Sequence, residues 1–388
     1  MKSGFLLFLC LVAVACAAAQ AAFAQEAKPA GRTPPSFKPK FAVRPLKNAH
    51  ARMAEIRTES STSTTIPLWN YRVVSPIDGH TYSGMMVGRS PFFHGARTTT
   101  VTSYVVPVRL TFSDTGFVFD PTAPDGCINN DTVESLTTNS PIFLNASFIM
   151  NGVNVGTTQY IDAFQRANFW ADLSATGNRY HALLSLTTLS AVSVTVPVAN
   201  GVTEFGFCGY YGNMDINWWD NYVQTTLIPS LAGKGVNATN LPIFLFDSVV
   251  MYENGDPNQC CVLGYHSAYS SPVQTYSVID FDTSATWSLD ISVASHEVGE
   301  WMNDPLGTNP TPPWGNIGQV SGCQGNLEVG DPLSGTYFTP VTMPNGFTYN
   351  PQELAFFSWF YRQSPSIGPG GLFSNNGTFS TDAGPVCR

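Results

Sequence analysis

The segment Ser295-His296-Glu297-Val298-Gly299-Glu300-Trp301-Met302-Asn303-Asp304-Pro305 constrains this chain most, because it combines helical apolar spacing with an imidazole and two carboxylates. Ile291, Ala294, Val298 and Trp301 recur at the α-helical period, Asp290 stands where an N-cap is expected, and Pro305 disfavours extension past Asp304. The spacing predicts a helix near residues 288–304. His296 and Glu300, four apart, project from one face and can grip one cation. Glu297 points about 100° away, where it can reach a metal-bound water without displacing it. This is the arrangement of the zinc-peptidase motif HExxH with Glu in place of the second His. Taken alone, the same residues also describe a solvated helix face.

Downstream lies Asn326-Leu327-Glu328-Val329-Gly330-Asp331, with Glu328 32 residues after His296. One of Glu328 and Asp331 is expected to be a third ligand, and the other to steady a ligand His through its second ring nitrogen. Which is which stays open. The candidate metal ligands are therefore His296, Glu300, Glu328 and Asp331, with Glu297 as general base. Zinc is the expected ion, and the extra carboxylate makes the site tolerant of manganese or calcium. One imidazole and two carboxylates neutralise a dication, so its water is acidified less than in a site with two imidazoles and one carboxylate. His266, which precedes the edge-like strand Tyr276 to Phe281, can also approach the metal, although a hydrogen-bonded loop histidine is the favoured reading; His50, His80, His94 and His181 have no ligand-spaced partners.

The order and spacing of these residues resemble the exordium (phosphate-induced) family of secreted proteins. The resemblance rests on His296-Glu297-x-x-Glu300, Asp304-Pro305, Trp314, Glu328-x-x-Asp331, and upstream on Cys260 with Gly264-Tyr265-His266. It spans residues 255–335, and it implies an exported protein with a zincin-like site. Pro332 stands where the family has a cysteine, so the family's cysteine pairing does not carry over.

The rest of the chain supplies the setting. Lys2, the apolar run Phe5 to Ala19 and Ala22-Phe23-Ala24 read as a signal peptide over 1–24. No later stretch reaches the ~20 apolar residues of a membrane span, so the protein is expected to be secreted, extracellular or periplasmic, without membrane insertion. Residues 26–57 carry a net charge of +6, whereas everything after them carries −16. The region 25–65 is thus a basic linker or pro-segment, either solvated or drawn to an acidic cleft. The acidic balance opposes nucleic acid as a partner.

Residues 66–230 read as β-rich, with strand signals at Tyr104–Phe112 and 183–198, a hairpin cue at Asn151-Gly152, a helix from Tyr160 and a second over Asn217 to Leu227. Leu241 to Met251 is an apolar run suited to a buried strand. The expected fold is α+β, with a zincin-like module over 231–388. Past the signal, Cys127, Cys208, Cys260, Cys261, Cys323 and Cys387 read as disulfide formers, with adjacent Cys260 and Cys261 going to different partners. The expected function is a secreted metal-dependent hydrolase, a peptidase acting on peptide or protein substrates. The alternative is a non-catalytic secreted binding or cell-surface protein with a structural metal site.

Overall fold

Every residue of Leu241–Asp247 is buried, and a strand with two covered faces belongs inside a sheet and not at its rim. The computed structural model describes residues 40–93, 95–176, 179–315 and 323–383; the signal peptide expected at 1–24 lies outside them. Among the described residues, eleven strands form one mixed sheet. They are β1 (Lys40–Arg44), β2 (Ala96–Phe112), β3 (Val118–Phe119), β4 (Arg179–Thr188), β5 (Val192–Val196) and β6 (Gly201–Gly206). The remainder are β7 (Gly209–Asp215), β8 (Leu241–Asp247), β9 (Val249–Tyr252), β10 (Val262–Tyr269) and β11 (Gln274–Phe281). The spatial order is β6-β7-β9-β10-β11-β8-β2-β3, with β1 added to β10, and β4 and β5 added to β2.

β8 lies between β2 and β11 and is parallel to both. Its side chains alternate between two cores, as the two-residue period of a strand requires. Ile243 and Leu245 enter the larger core, whereas Phe244 and Phe246 enter a second core built around Trp219. Helices α1 (Ala49–Ser61), α2 (Tyr160–Asn168) and α3 (Ser292–Asn303) complete the elements that matter for the site. Both α2 and α3 pack into the larger core through Tyr160, Phe164, Val298 and Trp301.

The expected α+β fold with a zincin-like module is overturned. The chain is mostly β, and its sheet is curled and mixed, with strands from either side of residue 230 interleaved. The physical reason is that β8 and β11 are buried throughout, so each needs neighbours on both edges. The long strand β2, from the N-terminal half, supplies one of those neighbours. With 17 residues it can pair in succession with β4, β8, β5 and β3.

Cys127 and Cys208 form a disulfide, and Cys323 is also disulfide-bonded. Cys260 and Cys261 are bonded to each other across a cis peptide, with their Cα atoms 3.1 Å apart. That geometry brings both sulfurs together, and it corrects the expectation of separate partners. Within the basic arm, β1 pairs in parallel with β10. Leu46, Ala49 and Ile56 of the arm pack into a small core with Met85, Ala268, Val273 and Leu306. No described helix is long and apolar enough to cross a membrane.

The acidic character reaches the sheet interior at Asp247, the last residue of β8. Burial, reinforced by the charges of Asp125 and Asp120, pushes its carboxyl up to about 7. The folded state therefore holds a proton that the unfolded chain releases near pH 4, so stability falls as pH rises from about 4 to about 7. Asp247→Asn is expected to stabilise the protein at pH 8 by about 1–4 kcal/mol and to change little at pH 4. Urea titrations at the two pH values check this; equal effects at both would contradict it.

Candidate metal centre

All twelve residues of α3 are buried, so its polar face looks inward and not to solvent. Asp290 does not cap the helix. Its N-cap is Ile291, which makes no side-chain cap, while the Asp290 carboxylate accepts from the Ile291 and Asn350 backbone N–H groups at 2.6 and 2.9 Å. Asp290 has φ +25°, so the chain turns sharply there and its carboxylate braces the loop to Asn350. At the other end the Asp304 carboxylate accepts from the Thr308 and Asn309 N–H groups at 2.8 and 2.9 Å. Asp304 thereby fixes the loop that leaves the helix.

Strand β10, strand β1 and the loop through Glu328 and Asp331 each bring a side chain to the His296–Glu300 face of α3. His296 Nε2 lies 3.0 Å from Glu300 Oε1 and 3.5 Å from Asp331 Oδ1. Its Nδ1 faces the Gln352 amide oxygen at 3.0 Å, and the Gln352 amide nitrogen donates to the Gly330 carbonyl at 2.7 Å. An amide oxygen only accepts, so His296 donates from Nδ1, and its Nε2 faces the two carboxylates. Glu300 Oε1 also accepts from the N–H groups of Gly330 and Asp331 at 3.1 and 3.2 Å, which ties the acidic loop to the helix.

On the far side of Glu300 stands His266. Its Nδ1 is 3.5 Å from Glu297 Oε2 and 3.7 Å from Glu300 Oε2, and its Nε2 is 3.8 Å from Glu328 Oε2. His266 Nε2 faces the Asp304 carbonyl at 2.9 Å, which again fixes the tautomer, since a carbonyl cannot donate. Two clusters with metal-ligand geometry result, His296–Glu300–Asp331 and His266–Glu297–Glu300, and they share Glu300. Glu328 belongs to neither; its Oε1 accepts from Asn326 at 2.8 Å.

Electrostatics follow from this crowding. Burial pushes the Glu297 carboxyl up to about 7. Burial, with the charges of Glu300, Asp304 and Asp331, raises Glu328 well above the usual carboxylate range. Asp331 is raised by burial and by Glu300. Glu300 is pulled up by burial, yet the His296 charge and hydrogen bond hold it below its ordinary value. Burial would depress both imidazoles, but Glu300 carries His296 well above its usual range, and Glu297 with Glu300 raises His266.

Two glycines make this approach possible. A Cβ on Gly264, opposite α3 on strand β10, would lie 2.9 Å from the Glu297 side chain and 2.8 Å from Val293. A Cβ on Gly330 would meet the His296 ring at 2.5–2.7 Å. The expected site residues His296, Glu297, Glu300, Glu328 and Asp331 are thus gathered in one buried space. His266 is a strand residue within that space, against Glu297 and Glu300, which corrects the favoured loop reading and agrees with the other one, an approach to the site. Strand periodicity through Gly264-Tyr265-His266 puts Gly264 and His266 on one face and is the signal that could have found it. Gln352, 56 residues from His296, carries no such signal. No protein-family model, curated protein or solved structure matches the chain.

Gly330 has an ordinary right-handed backbone, φ −87°, so the obstacle an added Cβ meets first is the His296 ring and not backbone strain. Gly330→Ala is expected to cost about 1–3 kcal/mol in a urea titration, the usual range for overpacking. Gly233→Ala, where an added Cβ meets nothing within 4 Å, should be near neutral. Equal effects of the two changes would contradict the close ring packing.

Proposed function

We propose that the protein is an exported metal-dependent hydrolase acting on peptide bonds, with a divalent ion held by His296, Glu300 and Asp331. The observation that carries this reading is a set of buried polar atoms left without hydrogen-bond partners. They are His296 Nε2, His266 Nδ1, both carboxylate oxygens of Glu297 and Asp331, and Glu328 Oε2. Buried polar atoms are normally satisfied, and several orphans gathered around Glu300 are what a bound cation would help to satisfy. One imidazole with two carboxylates suits zinc, and the distances favour Asp331 over Glu328 as third ligand.

When bound, such an ion supplies a Lewis acid that polarises a carbonyl and acidifies water. The chain's own groups do the rest. Glu297, in contact with His266 and with neither oxygen hydrogen-bonded, accepts a proton from the attacking water. Hydroxyl adds to the acyl carbon, the carbon–nitrogen bond breaks, and Glu297 returns the proton to the leaving nitrogen. Gln352 holds His296 in its donor tautomer throughout. Export is supported by the signal-like N-terminus and agrees with the disulfide Cys127–Cys208.

Glu297→Gln tests the assignment. Peptide hydrolysis should fall by at least ~10²-fold, the usual range for loss of acid–base assistance, while bound metal stays unchanged. Glu300→Gln should lower both metal content and melting temperature, because ion binding is coupled to folding. Undiminished hydrolysis by Glu297→Gln would remove it from the mechanism. Metal-loaded protein that cleaves nothing across a broad peptide library, with and without the basic arm, would leave a structural metal site in a binding protein.

A further inference from the structure

Every candidate ligand is buried, so no peptide reaches the site while its present cover is in place. That cover is the basic arm. Phe41 stacks on the His296 ring with centroids 3.5 Å apart and planes inclined by 13°. Phe41 is paired with Gly264 and Val43 with His266, so the arm runs parallel to β10 directly over the inward face of α3. β10 has β11 on one edge. On the other edge β9 pairs with it at Val262 alone, and the arm completes the rest.

The arm is held at both ends by charge. Lys40 Nζ lies 3.6 Å from Glu253, and Arg44 lies 3.3 Å from Asp220 and donates to Asn217 Oδ1 at 2.8 Å. A cavity of about 1110 Å³ lies along the arm, lined by residues 40–48 together with Asp220, Gln224 and Glu253. This is the form of a strand added to an open sheet edge: main-chain pairing for affinity, alternate side chains for specificity. The site therefore has room for one extended segment, and the chain's own residues fill it.

We propose that the open edge of β10 is a peptide-binding groove, and that residues 40–44 are its built-in occupant. The groove selects an extended segment with an aromatic residue over His296 and a basic residue three positions later, against Asp220. The tethered arm competes at a high effective concentration, so the intact chain is self-inhibited. This rests on the hydrolase reading for its purpose, although its test does not require hydrolysis.

The probe is a fluorescent peptide of residues 38–46, titrated against the metal-loaded full chain and against the same chain carrying Lys40→Ala, Phe41→Ala and Arg44→Ala. The loosened chain is expected to bind at least ~10-fold more tightly than wild type, because a competing intramolecular ligand has been weakened. A peptide with Phe41→Ala and Arg44→Glu should lose that binding. Should the triple variant fail to fold, Arg44→Ala alone removes one ion pair, leaves Phe41 in place, and should give a smaller gain in the same direction. A folded loosened chain that binds no better than wild type, or that binds both peptides equally, overturns the proposal. Tight binding by a loosened, metal-loaded chain that cleaves nothing across a broad peptide library leaves the groove standing and removes the peptidase reading instead.

Discussion

The site is governed by the burial of six ionisable side chains in one dry space. His266, His296, Glu297, Glu300, Glu328 and Asp331 are each at most 2% exposed. Four carboxylates and two imidazoles cannot all keep their ordinary charges there, since an uncompensated buried ion costs several kcal/mol. Some of the excess is relieved by protons, with Glu328 and Glu297 pushed upward by burial. Some is relieved by hydrogen bonds to the Gly330 and Asp331 backbone. His296 Nε2 and both Asp331 oxygens remain without hydrogen-bond partners, and a cation that displaces the ring proton is the ligand we propose for them.

The fold builds this space by interleaving. The doubly buried strand β8 draws the N-terminal strand β2 into the same sheet as β10 and β11, and α3 lies across the face they make. Gly264 lets the helix come close to the sheet, and Gly330 lets the acidic loop come close to His296. Asn168, on α2, bonds to Asn303 at 3.1 Å and accepts from the Phe357 N–H, so the helix end is tied to the C-terminal segment. Gln352 from that segment then fixes the His296 ring. The site is assembled from residues more than 300 positions apart, from Phe41 to Gln352.

Sequence reasoning reached the parts of this that are local. The helix around His296 and Glu300 is legible from its apolar period, and the pairing of the motif with Glu328 and Asp331 is legible from spacing. The fold class was not, because it depends on which strands neighbour β8, and apolar content alone does not choose partners. Asp290 was misread because the helix starts two residues later and the carboxylate is used by Asn350. For His266 the sequence favours a loop position over an approach to the metal, because its placement follows from register against α3, which is a tertiary fact. The arm's charge pointed toward an acidic cleft, but nothing in that charge foretold Phe41 over His296.

Elemental analysis of the purified full-length protein tests the central claim most directly, with wild type compared to His296→Ala. The account predicts about one divalent ion per chain in wild type, zinc foremost, and its loss in the variant. Folded wild-type protein that carries no metal above the buffer blank, or a His296→Ala variant that retains its metal in full, would contradict it.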